Sequence, residues 1–161
     1  MIGGMGAVRI ICGGQSGVDR AALDFAIEHG IAYGGWCPKG GWAEDMPNAP
    51  GVLASYPQLR ETPDRDPKQR TEWNVRDSDA TLIVGPAGVA SPGAAFTIDC
   101  AKAYAKPYFV ADPRVADAPR EVLQWLRSLP NLASLNIAGP RESESPGICA
   151  ATRAFLEHIV T

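Results

Sequence analysis

The stretch IICGGQSGVDRAALDFAIEHG, residues 10–30, joins two periodicities across a pair of glycines. Val8 to Cys12 is a short apolar run of strand type, and Gly13-Gly14 ends it. From Val18 to His29 the apolar residues Val18, Ala21, Ala22, Phe25 and Ala26 recur at three and four, the spacing of a helix with one buried face. Gly30 then stands where a left-handed C′ residue ends a helix. A strand that turns through glycines directly into a helix is the opening unit of an α/β sheet.

The same alternation continues outward. IAYGGWCP (31–38) reads as a second strand, DATLIVG (79–85) as a third, PYFVAD (107–112) as a fourth and ASLNIAGP (133–140) as a fifth. Helical patterns lie between and after them: 67–77, a helix opened by Ser91 as N-cap and Pro92 at N1, APREVLQWLRSL at 118–129, and SPGICAATRAFLEHIV at 145–160. The span from Lys39 to Arg65, rich in Pro and Gly, is expected to be a long loop with an apolar patch at 52–56. The expected architecture is a Rossmann-like three-layer sandwich: a mostly parallel, doubly wound sheet with helices on both faces. Residues 8–161 are expected to make a single ligand-binding domain, and 1–7 a disordered or frayed leader without the basic and apolar regions of a signal peptide.

Composition narrows the function. With 161 residues, 45% hydrophobic and 20% charged, the chain can bury a core unaided. A net charge of −3 argues against nucleic acid as partner, and no run spans a membrane. The cysteines Cys12, Cys37, Cys100 and Cys149 show no metal-ligand spacing and read as free thiols in a reducing cytoplasm. A metal site from Cys12, Cys37 and Cys100 is a minor alternative.

In a sheet of this kind ligands bind beyond the carboxyl ends of the strands. GGQSGVD lies at that edge, where glycines admit a ligand close to the backbone and a helix start offers unpaired N–H groups to an anion. Gly13, Gly14, Gln15, Ser16, Gly17 and Asp19 are therefore candidate binding residues; a tight turn capped by Ser16 is the structural alternative. Other strand ends add Gly85, Ser91, Gly93 and Thr97, then Arg141, Glu142 and Ser143 beyond Gly139. Arg70, Thr71, Asn74 and Asp77 precede the third strand, and Arg70, Asn74 and Asp77 share a helical face that either meets the ligand or is solvated. Lys39 offers a charge, and Trp36 or Trp42 a stacking surface or a buried turn.

Taken together, GGQSGVDRAALDFA, GGWCPKGGWAEDMP, RTEWNVRDSDATLIV and LNIAGPRESESPGI resemble the molybdenum cofactor carrier family of the SLOG superfamily, Rossmann-like proteins related to the lysine-decarboxylase-like phosphoribohydrolases. The resemblance runs over about residues 8 to 160. It implies a homo-oligomer and a small phosphate-bearing ligand: molybdenum cofactor, a pterin with a terminal phosphate, or a nucleotide. Gly13, Gly14, Ser16 and Gly17 would cradle the phosphate, Gly93 and Thr97 would complete the cradle or hold molybdate, and Arg141 and Lys39 would supply charge. The enzymatic relatives carry PGGxGTxxE. Here Pro92, Gly93 and Thr97 match, Ala94 and Phe96 replace glycines, and Cys100 stands in place of the Glu. A thiol is a poor substitute for a carboxylate that relays a proton. Binding without turnover is the leading expectation, with a nucleoside-monophosphate phosphoribohydrolase or a nucleotide sensor as alternatives.

Overall fold

The computed structural model describes residues 8–86 and 91–160; the expected leader at 1–7 lies outside them. Among the described residues six strands form one parallel sheet in the order β3-β2-β1-β6-β4-β5. The strands are β1 (Arg9–Ile11), β2 (Tyr33–Cys37), β3 (Leu59–Glu61), β4 (Ala80–Val84), β5 (Tyr108–Ala111) and β6 (Ser134–Ala138). The helices are α1 (Val18–Glu28), α2 (Val52–Ser55), α3 (Pro67–Arg76), α4 (Pro92–Ala103), α5 (Ala118–Ser128) and α6 (Ile148–Val160). Helices α1, α6 and α5 pack side by side in one layer, and α3 and α4 pair in another. The Rossmann-like sandwich is thus the observed architecture.

The local causes are those of the sequence. Every residue of β4 is buried, as a central parallel strand requires. The stripe of α1 buries Val18, Ala21, Ala22, Phe25 and Ala26. Asp66 caps α3 by accepting the Lys68 N–H, Ser91 caps α4 by accepting the Ala94 N–H, and each helix has proline in its first turn.

Two expectations need correction. The span 39–65 is not a plain loop: it holds a 3-10 turn at Lys39–Gly41, the single turn α2, and the edge strand β3, the sixth of the sheet. Only Leu59 of β3 is buried, so three residues with two polar side chains show no alternation to read. The last helix begins at Ile148 rather than at Ser145-Pro146, because Gly147 has φ +86 and the Glu142 carboxylate accepts the N–H groups of Gly147 and Cys149.

The topology fixes where a cleft can open. Traced from β6 through β1, β2 and β3, each strand lies beside the last, moving outward; β4 and β5 step outward on the other side of β6. The two directions part between β6 and β4. At such a switch the following loops diverge and leave a crevice.

Candidate functional site

A cleft of about 350 Å³ lies at that switch, over the ends of β1, β6 and β4 and between the starts of α3 and α4. Its floor includes Asn136 of β6, whose buried amide donates to the Thr81 hydroxyl at 3.3 Å, and the buried Thr97 of α4. At the rim stand Lys68, Arg70 and Arg141. An apolar recess of about 420 Å³ adjoins it, reaching Gly85, Pro86, Ile98 and Val110, and the two share Ser91, Ala94 and Pro140 as walls.

Of the expected site residues, Gly13, Gln15, Asp19, Asn74, Ser91, Gly93, Thr97 and Arg141 line the cleft. Gly85 lines the adjoining recess. Asp77, Glu142, Ser143, Gly14, Ser16 and Gly17 do not line the cleft, and Lys39 lines another hollow.

The glycine loop is a junction of the protein with itself. Gly14 has φ +79 and turns toward the core, where a Cβ would stand 3.0 Å from Val52 Cγ2. At Gly17 a Cβ would stand 2.4 Å from the Pro140 carbonyl oxygen, which in turn accepts the first helical N–H, of Val18, at 3.3 Å. The Gln15 N–H donates to Asp19 Oδ2 at 3.2 Å, and the Ser16 N–H to Gln15 Oε1 at 3.0 Å. The Val18 N–H at the helix start and the loop N–H groups of Gln15 and Ser16 are thus met internally. Ser16 also donates its hydroxyl to Glu44 and accepts the Glu142 N–H at 3.1 Å. Ser143 donates to Glu44 through its N–H at 3.1 Å and its hydroxyl at 2.5 Å. Burial opposes ionisation of Glu44, but the hydrogen bonds from Ser143 and Ser16, with Arg141 nearby, hold its carboxyl below the ordinary value.

The helical face of Arg70, Asn74 and Asp77 bonds to the rest of the protein, with Asn74 buried and Asp77 exposed. Asn74 accepts the Trp36 N–H at 2.7 Å and donates to the Trp36 carbonyl at 2.9 Å, so one amide docks α3 onto β2. Asp77 accepts the Trp36 indole N–H at 2.8 Å, and Trp36 packs edge-on against Trp73. Trp36 therefore sits on the outer side of α3 and not against the cleft. Arg70 crosses Gly13, donating to its carbonyl at 2.8 Å and approaching Asp19 Oδ2 at 3.4 Å. A Cβ on Gly13 would overlap that guanidinium. Burial pushes the Asp19 carboxyl up, against the lowering pull of Arg70 and the Gln15 N–H.

The start of α4 is capped by Ser91 yet open in front. A Cβ built on Gly93 meets nothing within 4 Å, and the cleft lies in front of it. The Thr97 hydroxyl donates to the Gly93 carbonyl at 2.9 Å. This twelve-residue helix directs its positive end into the cleft, flanked by Lys68 and Arg141. Lys68 was missed from the sequence, where it is one lysine in a polar helix; its nearness to the Phe96 ring, 5.8 Å, comes only with the α3–α4 pairing.

The cysteines do not converge. Cys12 donates to the Ile137 carbonyl and Cys37 to the Arg60 carbonyl, while Cys100 sits in a separate small core with Val75 and Ala101. Burial, with the Asp19 charge adding, raises the Cys12 thiol well up, and burial pushes Cys37 to about 11, so both stay protonated at neutral pH. All four cysteines are free, and among the described residues no helix is long and apolar enough to cross a membrane.

Comparison with known proteins agrees with the fold. A family model described as circularly permutated YpsA, SLOG family, matches residues 10–160. The chain is similar to a "Putative molybdenum carrier protein" from Syntrophus aciditrophicus SB, solved by crystallography at 1.45 Å resolution. The two are 45% identical with a TM-score of 0.86, and 96% of each chain is covered. No curated protein matches.

Proposed function

Because the chain belongs to the circularly permutated YpsA SLOG family, we propose that it is a carrier: it holds a phosphate-bearing pterin- or nucleotide-derived ligand in the cleft between α3 and α4 and releases it unchanged. Molybdenum cofactor is the cargo favoured, since the 45% identical relative bears the name "Putative molybdenum carrier protein". The observation that carries the reading is the start of α4. It combines an open Gly93, a helix end aimed into the cleft, and the cations Lys68 and Arg141, which together suit a terminal phosphate. The adjoining apolar recess gives a flat ring somewhere to lie. Asn136 and Thr97 on the floor would orient the ring or an oxyanion through hydrogen bonds.

Release without turnover rests on where the acids lie. Cys100, in the place of the hydrolase Glu, is buried away from the cleft, and Asp99 is exposed and does not line it. Of the carboxylates that do line it, Glu144 is paired with Arg141 at 3.1 Å and Asp19 with Arg70. The free thiols suit a reducing cytoplasm. The exposed Val110 on edge strand β5 would be covered in a homo-oligomer.

The experiment is native mass spectrometry of the gently purified protein, with metal analysis of the same sample. A co-purifying pterin phosphate, with or without molybdenum, is the expected result. A protein that emerges empty and binds neither added pterin phosphates nor nucleotides would overturn the proposal.

One observation favours a second reading. Asp19 is a buried carboxyl in the cleft with its proton affinity raised, a combination typical of catalytic acids. On that reading the protein is an N-glycosidase acting on nucleoside monophosphates. Free base appearing on incubation, and vanishing in Asp19→Asn, would establish it.

A further inference from the structure

A second hollow lies on the same edge of the sheet, beyond the ends of β2 and β3, and the carrier reading leaves it unused. It holds about 590 Å³. Lys39, which follows β2, and Arg65, which follows β3, both line it, with the half-buried Trp42 as an aromatic wall. Among the described residues neither cation forms an ion pair. The one carboxylate in the lining, Glu61, spends an oxygen on the Gly40 N–H at 2.7 Å.

The hollow is built rather than incidental. A Cβ on Gly41 would stand 2.1 Å from the Pro50 carbonyl oxygen, and one on Gly51 2.0 Å from that of Gly41, so two arms of the 39–51 segment cross backbone against backbone. The Lys39 N–H donates to the Asp64 carbonyl at 3.1 Å, and the Thr62 N–H to the Cys37 carbonyl at 2.8 Å. Walls tied this way need no ligand to form them.

Its position relates it to the central cleft. Pro67, the first residue of α3, lines both cavities. Arg65 stands on one side of Pro67 in the second hollow, and Lys68 on the other in the cleft. Dinucleotides on sheets of this class lie along the carboxyl edge, one half to each side of the switch. An aromatic platform with unpaired cations is suited to a base and its phosphate.

We propose that the Trp42 hollow is a second ligand subsite, taking an aromatic ring on Trp42 beside Lys39 and Arg65. The carried ligand is then a diphosphate-linked dinucleotide whose diphosphate crosses Pro67 between Arg65 and Lys68. The inference rests on the carrier reading of the central cleft.

Anoxic isothermal titration tests it with two probes: molybdopterin, and the guanine dinucleotide of the same pterin. The dinucleotide should bind about tenfold or more tighter, because one further ring is stacked. Lys39→Glu and Arg65→Glu change exposed side chains; each should abolish that gain and leave molybdopterin binding as it was. Trp42→Phe should keep most of the gain and Trp42→Ala lose it. Equal affinity for the two probes, or a gain that survives Lys39→Glu and Arg65→Glu, would overturn the second subsite while leaving the carrier reading intact. Failure of both probes to bind would overturn the carrier reading and this inference with it.

Discussion

Arg70 spans the first strand end of the sheet: its Nη1 lies 2.8 Å from the Gly13 carbonyl oxygen and 3.4 Å from Asp19 Oδ2. The two side chains are only 12% and 9% exposed, so each charge depends on the other. Breaking a buried pair by removing one member costs more than the pair contributes, because the remaining charge stays desolvated.

Arg70→Met should therefore destabilise the protein by about 3 kcal/mol at neutral pH. The folded-state pKa of Asp19 is already raised, so the folded protein binds this proton more tightly than the unfolded chain does. Losing Arg70 raises it further. The deficit of the variant should thus be full above its own folded value and shrink as pH falls through that value toward the parent's. Urea unfolding of both proteins between pH 4 and 8 checks this; a deficit independent of pH would show that Asp19 is not the group left unpaired by the change.

Glu44 titrates with the opposite sign. Its carboxyl is held below the ordinary value, so the stability it contributes is present above its unfolded pKa and lost as pH falls through the folded one. Glu44→Gln should cost about 1.5 kcal/mol at pH 7, the scale of a charge-assisted hydrogen bond. The variant and the parent should converge as pH falls through that lowered folded value. A constant difference down to pH 3 would mean that shape, not charge, holds the clasp to Ser16 and Ser143.

Gly17 links this junction to the loop after β6. Its φ is +79, and a Cβ would meet the Pro140 carbonyl oxygen at 2.4 Å. Gly17→Ala should lower the thermal midpoint by an amount equivalent to about 2 kcal/mol or more, since left-handed strain and a backbone clash add. An unchanged midpoint would show that the two loops separate freely. Gly14→Asp would act in the same way, against Val52 and Leu59, and so reports on folding rather than on ligand binding.

The parallel sheet, its helices and the edge where a ligand would lie were legible because apolar periodicity and strand-end glycines are local signals. The hydrogen-bond partners were not. Nothing near Ser16 in the chain announces that Glu44 and Glu142 will meet it, and nothing near Gly13 announces Arg70. The glycine loop has the composition of an anion cradle and also of a tight internal junction; only the long-range neighbours tell them apart. The edge strand β3 was missed for a related reason: its pairing to β2 does what its own three residues do not signal.

The start of α4 offers the cleanest test of where the anion sits. Gly93 follows Pro92 in the first turn, and a side chain there would point into open space. Gly93→Asp places a carboxylate at the positive end of the helix, which should leave stability unchanged or raise it by about 0.5 kcal/mol. The same carboxylate occupies the place proposed for the ligand's phosphate and repels it. Affinity for a pterin phosphate or a nucleoside monophosphate, measured by isothermal titration, should fall at least about tenfold, a loss of about 1.4 kcal/mol. Raising the salt concentration should narrow the gap, because a repulsion at a partly open rim is screened. A variant that folds normally and binds as tightly as the parent would remove the phosphate from α4 and return the search to the rim cations Lys68 and Arg141.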